Sequence, residues 1–221
     1  MKYGEKPVSI QSLPRLIAAL SLFAYLSVTP AAAEAFRIVA LGDSLIAGPG
    51  LKSEQTFSAR LEGALLARGH DVVILDAGVS GDTTRDGLAR LDWSIGTDAD
   101  AVIVELGAND SLRGTNPAFA RAALNAILDH LSARELPVLL AGMIAPPNLG
   151  EKYAAEFNPI YSDLAAKHGT ILYPFFLEGV AGDSRFNLND GIHPNASGVD
   201  IIVEGILPAV EALILRIDET G

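Results

Sequence analysis

The chain has no cysteine. Disulfides, thiol nucleophiles and thiolate metal ligands are therefore excluded, and an exported form would be held together by its core alone. No uninterrupted apolar run reaches the ~20 residues that a membrane-spanning helix needs. No long block of like charge, internal repeat, low-complexity tract or domain linker breaks the sequence. Common active-site signatures are missing too. Position 46 is Ile, so Gly42-Asp43-Ser44 does not extend to Gly-x-Ser-x-Gly. Neither a Gly-x-x-x-x-Gly-Lys-Ser/Thr loop nor a Gly-x-Gly-x-x-Gly turn follows a strand, which leaves nucleotide binding without support.

What is present begins with a leader pattern. Lys2, Lys6 and Arg15 precede Leu16 to Val28, an uncharged stretch of 13 residues, and Thr-Pro-Ala-Ala-Ala-Glu-Ala follows. A basic start, a short apolar middle and a small-residue exit predict a secretory signal peptide over residues 1–33. Cleavage after Ala33 or after Ala35 fits equally well. Its removal takes three basic groups and one acid, leaving 13 basic and 26 acidic residues and a formal charge of −13. Such a surface repels nucleic-acid backbones and anionic membranes. The expectation is a periplasmic or secreted monomer with neither as partner and no stable membrane insertion.

Residues 34–221 alternate short apolar runs with longer amphipathic ones. Phe36–Leu41, Val72–Leu75, Ala101–Leu106, Val138–Ala141 and Ile171–Tyr173 read as strands covered on both faces. Phe57, Leu61 and Leu65 recur at helical spacing, as do Leu124, Ile127, Leu128 and Leu131 after Asn116-Pro117. Val199, Ile202, Val203, Ile206, Val210, Leu213 and Ile214 form one stripe on a terminal helix. Strands separated by helices predict one α/β domain, a three-layer sandwich with about five parallel strands. Ala145–Gly150 reads as a loop. Gly179–Gly191 is the longest structureless stretch, and a loop that long is more often functional than idle.

Four polar segments punctuate this pattern. Ser44 follows the first strand, where open α/β folds place their ligands. Its hydroxyl becomes a nucleophile only if a base removes the proton. Asp43 or Ser44 could equally cap a helix. His193 is the candidate base, because Asp190 lies three residues earlier and can hold one ring nitrogen while the other faces outward. A polar loop with Asn195 or Ser197 capping the last helix is the plain alternative. His70, His130 and His168 read as surface or cap residues. Gly81 lets a backbone N–H approach a substrate closely, and Asn109 offers a neutral amide donor after the third strand. Both also make acceptable turns.

The segments Gly42-Asp43-Ser44-Leu45-Ile46-Ala47-Gly48, Ser80-Gly81-Asp82-Thr83-Thr84 and Gly87-Leu88-Ala89-Arg90-Leu91 continue into Glu105-Leu106-Gly107-Ala108-Asn109-Asp110, Leu112-Arg113-Gly114 and Asp190-Gly191-Ile192-His193-Pro194-Asn195. In that order they resemble the SGNH, or GDSL-type, hydrolases, within which they are most similar to the exported thioesterase I, lysophospholipase and arylesterase group. The resemblance implies a flavodoxin-like fold, Ser44 as nucleophile, His193 as base and Asp190 as its orienter. It also implies oxyanion donors from the Ser44 N–H, the Gly81 N–H and the Asn109 side chain, with no metal or organic cofactor. Leu45, Asp110, Leu112 and Ile192 are the substrate-facing candidates, although apolar residues such as these often pack in the core. Ala108 stands where that group has a second glycine, which bears on the shape of segment 110–116 and on substrate preference.

The expected reaction is hydrolysis of carboxylic esters and thioesters through an acyl-enzyme. A carbohydrate O-deacetylase on the same scaffold is the alternative, because fold and triad do not determine the acyl group. A non-catalytic acyl-lipid or glycan binder ranks last, since every catalytic position is filled.

Overall fold

The computed structural model describes residues 1–5 and 35–220. The apolar run Leu16–Val28 and the small residues after it lie outside the described residues. Residues 34–221 form one compact unit.

Five strands build its centre: β1 (Phe36–Gly42), β2 (Val72–Gly78), β3 (Ala101–Glu105), β4 (Val138–Ala141) and β5 (Ile171–Tyr173). They are all parallel, in the order β2-β1-β3-β4-β5. Parallel strands with helical crossovers are covered on both faces and so read as continuous apolar runs. Accordingly β3 and β4 are buried at every residue, as β1 is from Ile38 onward. Each fully buried Leu, Ile or Val contributes about 1.5–3 kcal/mol relative to exposure.

The helices are α1 (Ser44–Ala47), α2 (Phe57–Ala67), α3 (Thr84–Ala89), α4 (Leu91–Ser94), α5 (Ala108–Leu112), α6 (Pro117–Ala133), α7 (Gly150–Phe157), α8 (Pro159–His168) and α9 (Ala196–Thr220). The chain moves one way across the sheet from β1 to β2 and the opposite way thereafter. Right-handed crossovers then require helices on opposite faces. Helix α2 packs against α9, whereas α3 and α8 pack against α6, which gives the three layers. The reversal also opens a crevice between the carboxyl ends of β1 and β3, where ligands bind in such folds.

Several boundaries differ from the apolar pattern: β1 reaches Gly42, and β3 stops at Glu105. Strand β2 runs three residues beyond Leu75, because main-chain pairing of Ala40, Leu41 and Gly42 with Asp76, Ala77 and Gly78 continues. An edge strand tolerates the exposed Asp76 that ends the apolar run. The expected loop Ala145–Gly150 contains a 3-10 turn at Pro147–Leu149, and Gly150 already begins α7. Gly179–Gly191 forms no helix or strand. It is nevertheless held, since the buried Asn187 donates to the carbonyls of Val180 and Asp183 and bridges to Pro194.

Candidate active site

Strand β1 ends at Gly42, and the turn that follows is compact for a local reason. Asp43 caps α1, its Oδ1 accepting the Leu45 N–H at 3.0 Å. This leaves the Ser44 hydroxyl uncommitted to capping. The long loop from the other end of the chain brings His193 to it, with Nε2 2.9 Å from Ser44 Oγ. The Asp190 Oδ2 lies 2.7 Å from His193 Nδ1, while Asp190 Oδ1 accepts the backbone N–H groups of Ile192 and His193. Three bonds thus aim one carboxylate and one ring together. The bond from the imidazole, followed by those two amides, holds the Asp190 carboxyl well below the usual carboxylate range. Asn195 caps α9 through the Gly198 N–H, so the capping role and the catalytic geometry coexist in adjacent residues.

The turn after β2 meets this centre from the side. The Val79 N–H bonds to the Gly42 carbonyl at 3.0 Å and the Asp82 N–H to the Val79 carbonyl at 3.1 Å. Gly81 has φ of +89°, a left-handed conformation that disfavours any side chain. Asn109 comes from the first turn of α5, after β3. Its amide donates to Asp43 Oδ2 at 2.9 Å and to the Asp82 carbonyl at 3.0 Å. Ser44, Gly81 and Asn109 therefore belong to three segments bonded to one another. Both amide hydrogens of Asn109 are engaged.

The substrate-facing candidates separate into two pairs. Leu112 and Ile192 are about half exposed, at 51% and 47%. Leu45 and Asp110 are buried, at 6% and 1%. Leu45 is a core residue, because α1 turns it inward beside Ile46. Asp110 is buried with its carboxylate on the Thr84 N–H at 2.8 Å and the Thr84 hydroxyl at 2.9 Å. It ties α5 to the start of α3, and burial raises its pKa despite those bonds. The segment 110–116 is helical in its first part, up to Leu112, because Ala108 begins α5. Among the remaining histidines, His70 and His130 pair with Glu211 and Asp92 near the surface. His168 instead buries its ring against Asn125.

Two carboxylates escaped notice as parts of the site. Glu105, which closes β3, is fully buried, and its Oε2 accepts the Asp43 N–H at 3.3 Å. Its Oε1 has no partner among the described residues. Burial first, and the Asp43 charge second, push the Glu105 carboxyl well above its ordinary range, which favours its protonated form. Asp43 is equally buried, and desolvation raises it to about 6 against the pull of Leu45, Asn109 and His193. The available signal was a carboxylate at the end of a strand otherwise apolar on both faces, which needs a reason to be there.

A flavodoxin-like sheet with a serine, an imidazole and a carboxylate in hydrogen-bonded sequence at its switch point defines a serine hydrolase. Residues 40–201 match the GDSL-like Lipase/Acylhydrolase family. The chain is 38% identical over 183 residues to Esterase TesA of Pseudomonas aeruginosa, covering 82% of this chain and 91% of that protein. It is 34% identical over 184 residues to Thioesterase 1/protease 1/lysophospholipase L1 of Escherichia coli, covering 83% and 87%. Among solved structures, AlinE4, an SGNH-hydrolase family esterase, shares 47% identity at a TM-score of 0.69 over 81% of this chain and 96% of that one. The chain belongs to the GDSL-like lipase and acylhydrolase family, and it is an ester-bond hydrolase.

Proposed function

We propose that the chain is an exported serine esterase that cleaves carboxylic esters and thioesters through an acyl-enzyme, with Ser44, His193 and Asp190 as its triad. One observation supports this above the others: the continuous bond series from Asp190 through His193 to Ser44, spanning 149 residues of sequence. Ser44 Oγ attacks the carbonyl carbon while His193 Nε2 takes its proton. The tetrahedral oxyanion is met by the Ser44 and Gly81 N–H groups and the Asn109 amide. His193 then protonates the leaving alkoxide or thiolate, and the C–O or C–S bond breaks. Water enters, gives a proton to the same nitrogen and attacks the acyl carbon, releasing the acid and the serine. Because His193 must be neutral to accept the proton, acid suppresses both half-reactions.

Apolar side chains favour acyl chains over sugars as the bound group. Val79, Leu112, Ile144 and Ile192 are exposed, and each lies on a segment leaving the carboxyl edge of the sheet or beside His193. Exposed apolar groups there can bury an acyl chain, so we place the deacetylase reading second. The names of the relatives agree with this order, being an esterase and a thioesterase with lysophospholipase activity.

The leader over residues 1–33 supports export, and among the described residues no helix is long and apolar enough to cross a membrane. Ser44→Ala assayed on a p-nitrophenyl ester series from acetate to palmitate, with acyl thioesters in parallel, tests the proposal. Undiminished hydrolysis by the variant overturns it, and hydrolysis confined to acetate transfers support to the deacetylase.

A further inference from the structure

The Gly81 turn presents a problem of rigidity. A donor for the oxyanion works because it is preorganised, yet Gly81 is a part-buried left-handed glycine with no side chain of its own, and the side chain that holds its carbonyl, through Nη2 at 2.7 Å, belongs to the exposed Arg113. Something else must set its position relative to Ser44.

Arg90 lies where α3 gives way to α4, in the stretch Gly87-Leu88-Ala89-Arg90-Leu91. Each of its three guanidinium nitrogens donates one bond. Nε donates to Asp82 Oδ2 at 2.6 Å, Nη2 to the Gly42 carbonyl at 2.8 Å and Nη1 to Ser94 Oγ at 2.8 Å. The Arg90 and Asp82 side chains are each only 14% exposed, so the ion pair is poorly screened. Gly42 lies two residues before the nucleophile, and Asp82 directly follows Gly81. From Asp82 the chain of bonds continues through its carbonyl to Asn109, and from Asn109 to Asp43 Oδ2. Asp43 is peptide-bonded to Gly42, which closes a ring beneath Ser44.

We infer that Arg90 is the positioning residue of the oxyanion hole: by bridging Asp82 to the Gly42 carbonyl, it sets the spacing between the Gly81, Ser44 and Asn109 donors. Arg90 touches neither substrate nor reacting atoms. It acts by holding two peptide segments at once, which needs the planar fork of a guanidinium rather than a point charge. The inference rests on the serine-esterase proposal. It adds that the transition state, rather than the bound ester, feels the loss of Arg90.

The test uses purified wild type, Arg90→Lys, Arg90→Ala and Ser44→Ala. Four quantities are measured: kcat and KM on p-nitrophenyl butyrate, inhibition by an alkyl boronic acid that mimics the tetrahedral adduct, thermal unfolding, and rescue by guanidinium chloride at low millimolar concentration. A displacement of about 1 Å at a catalytic group costs on the order of 10²-fold. The expected result is therefore a kcat lower by roughly 10- to 100-fold in both Arg90 variants, with KM within about threefold. Boronate affinity should fall by a similar factor. Guanidinium should restore part of the Arg90→Ala activity and none in Ser44→Ala.

Unchanged boronate affinity, or a loss confined to KM, overturns the inference. So does a loss of activity that tracks unfolding without rescue, or failure of both Arg90 variants to fold, either of which makes Arg90 a packing residue. An active Ser44→Ala sinks the esterase proposal instead, and so separates the two failures.

Discussion

The side-chain amide of Asn109 donates to Oδ2 of Asp43 at 2.9 Å, across 66 residues of sequence. A helix cap and the proposed oxyanion donor, far apart in the primary structure, are bonded to one another in the fold. Asn109→Ala should lower kcat by roughly 10²–10³ with a smaller change in KM. Asp43→Ala should reproduce most of that loss, because an unheld amide is no longer preorganised. The double variant should fall well short of the product of the two, as coupled sites do. Strictly multiplicative kcat losses would show that Asn109 does not depend on Asp43.

Asp190 is predicted to matter for orientation rather than for stability. Asp190→Asn presents an amide to His193 Nδ1 and favours the wrong tautomer, which should cost ~10⁴ in kcat. The residue is partly exposed, so the thermal midpoint should hardly move. Its carboxyl is held well below the ordinary range and is ionised wherever the enzyme works. A kcat close to wild type in Asp190→Asn, or a loss that tracks unfolding, would contradict this orienting role.

Glu105 makes stability depend on pH in a direction that can be worked out. Its folded pKa is raised well above the 4.5 of the unfolded chain, chiefly by burial. The folded state binds the extra proton, so stability is greatest below about 4.5 and declines as pH rises toward the folded value. Glu105→Gln keeps an acceptor for the Asp43 N–H and cannot ionise. Its new amide hydrogens impose a cost that is the same at every pH. Denaturation followed from pH 4 to 9 should therefore show the variant gaining on wild type as pH rises. A constant or shrinking difference would mean that Glu105 is not buried as a neutral acid.

Gly107 and Tyr161 form a second tight contact behind Asn109. Gly107 has φ of +117°, and a Cβ there would lie 2.1 Å from the Tyr161 hydroxyl, which donates to the Leu106 carbonyl at 2.8 Å. Tyr161→Phe leaves a buried carbonyl unpaired and should cost about 1–3 kcal/mol in urea denaturation. Gly107→Ala should cost more, since removing the hydroxyl alone does not relieve the backbone strain. A double variant as stable as Tyr161→Phe would show that the backbone there is unstrained.

For the exposed apolar rim the expected effect lies in substrate preference. Leu112→Ser and Ile192→Ser each remove apolar surface beside the site, at about 0.8 kcal/mol per buried CH₂ of bound acyl chain lost. Values of kcat/KM should fall for octanoyl and longer esters and stay near wild type for acetate. Equal losses on every chain length would place these side chains outside the acyl path.

Much of this molecule is written in local chemistry. Five apolar runs specify five strands because a parallel sheet buries both faces, and Asn116-Pro117 starts α6 because a cap followed by proline suits a first turn. Ser44 stood out as a polar group just beyond a hydrophobic strand, where a fold of this class has its crevice, and His193 as an imidazole ahead of the last helix with Asp190 three residues before it. The short helices α3, α4 and α5 span too few residues for apolar periodicity to be seen. Leu45 and Asp110 illustrate the limit more sharply. Whether a leucine faces a groove or a core, and whether a carboxylate meets a ligand or the Thr84 amide, depends on residues tens of positions away.

Strand identity and layer class follow from residue type and spacing alone, because burial and capping are near-neighbour matters, and the same reading marked Ser44 and His193 as candidates. The strand order, the 2.9 Å between His193 and Ser44, and the ring through Arg90, Asp82, Asn109 and Asp43 were decided only on folding. Those depend on how segments 8 to 149 residues apart pack against a common sheet edge, and no local preference encodes a distance between side chains as remote as Ser44 and His193.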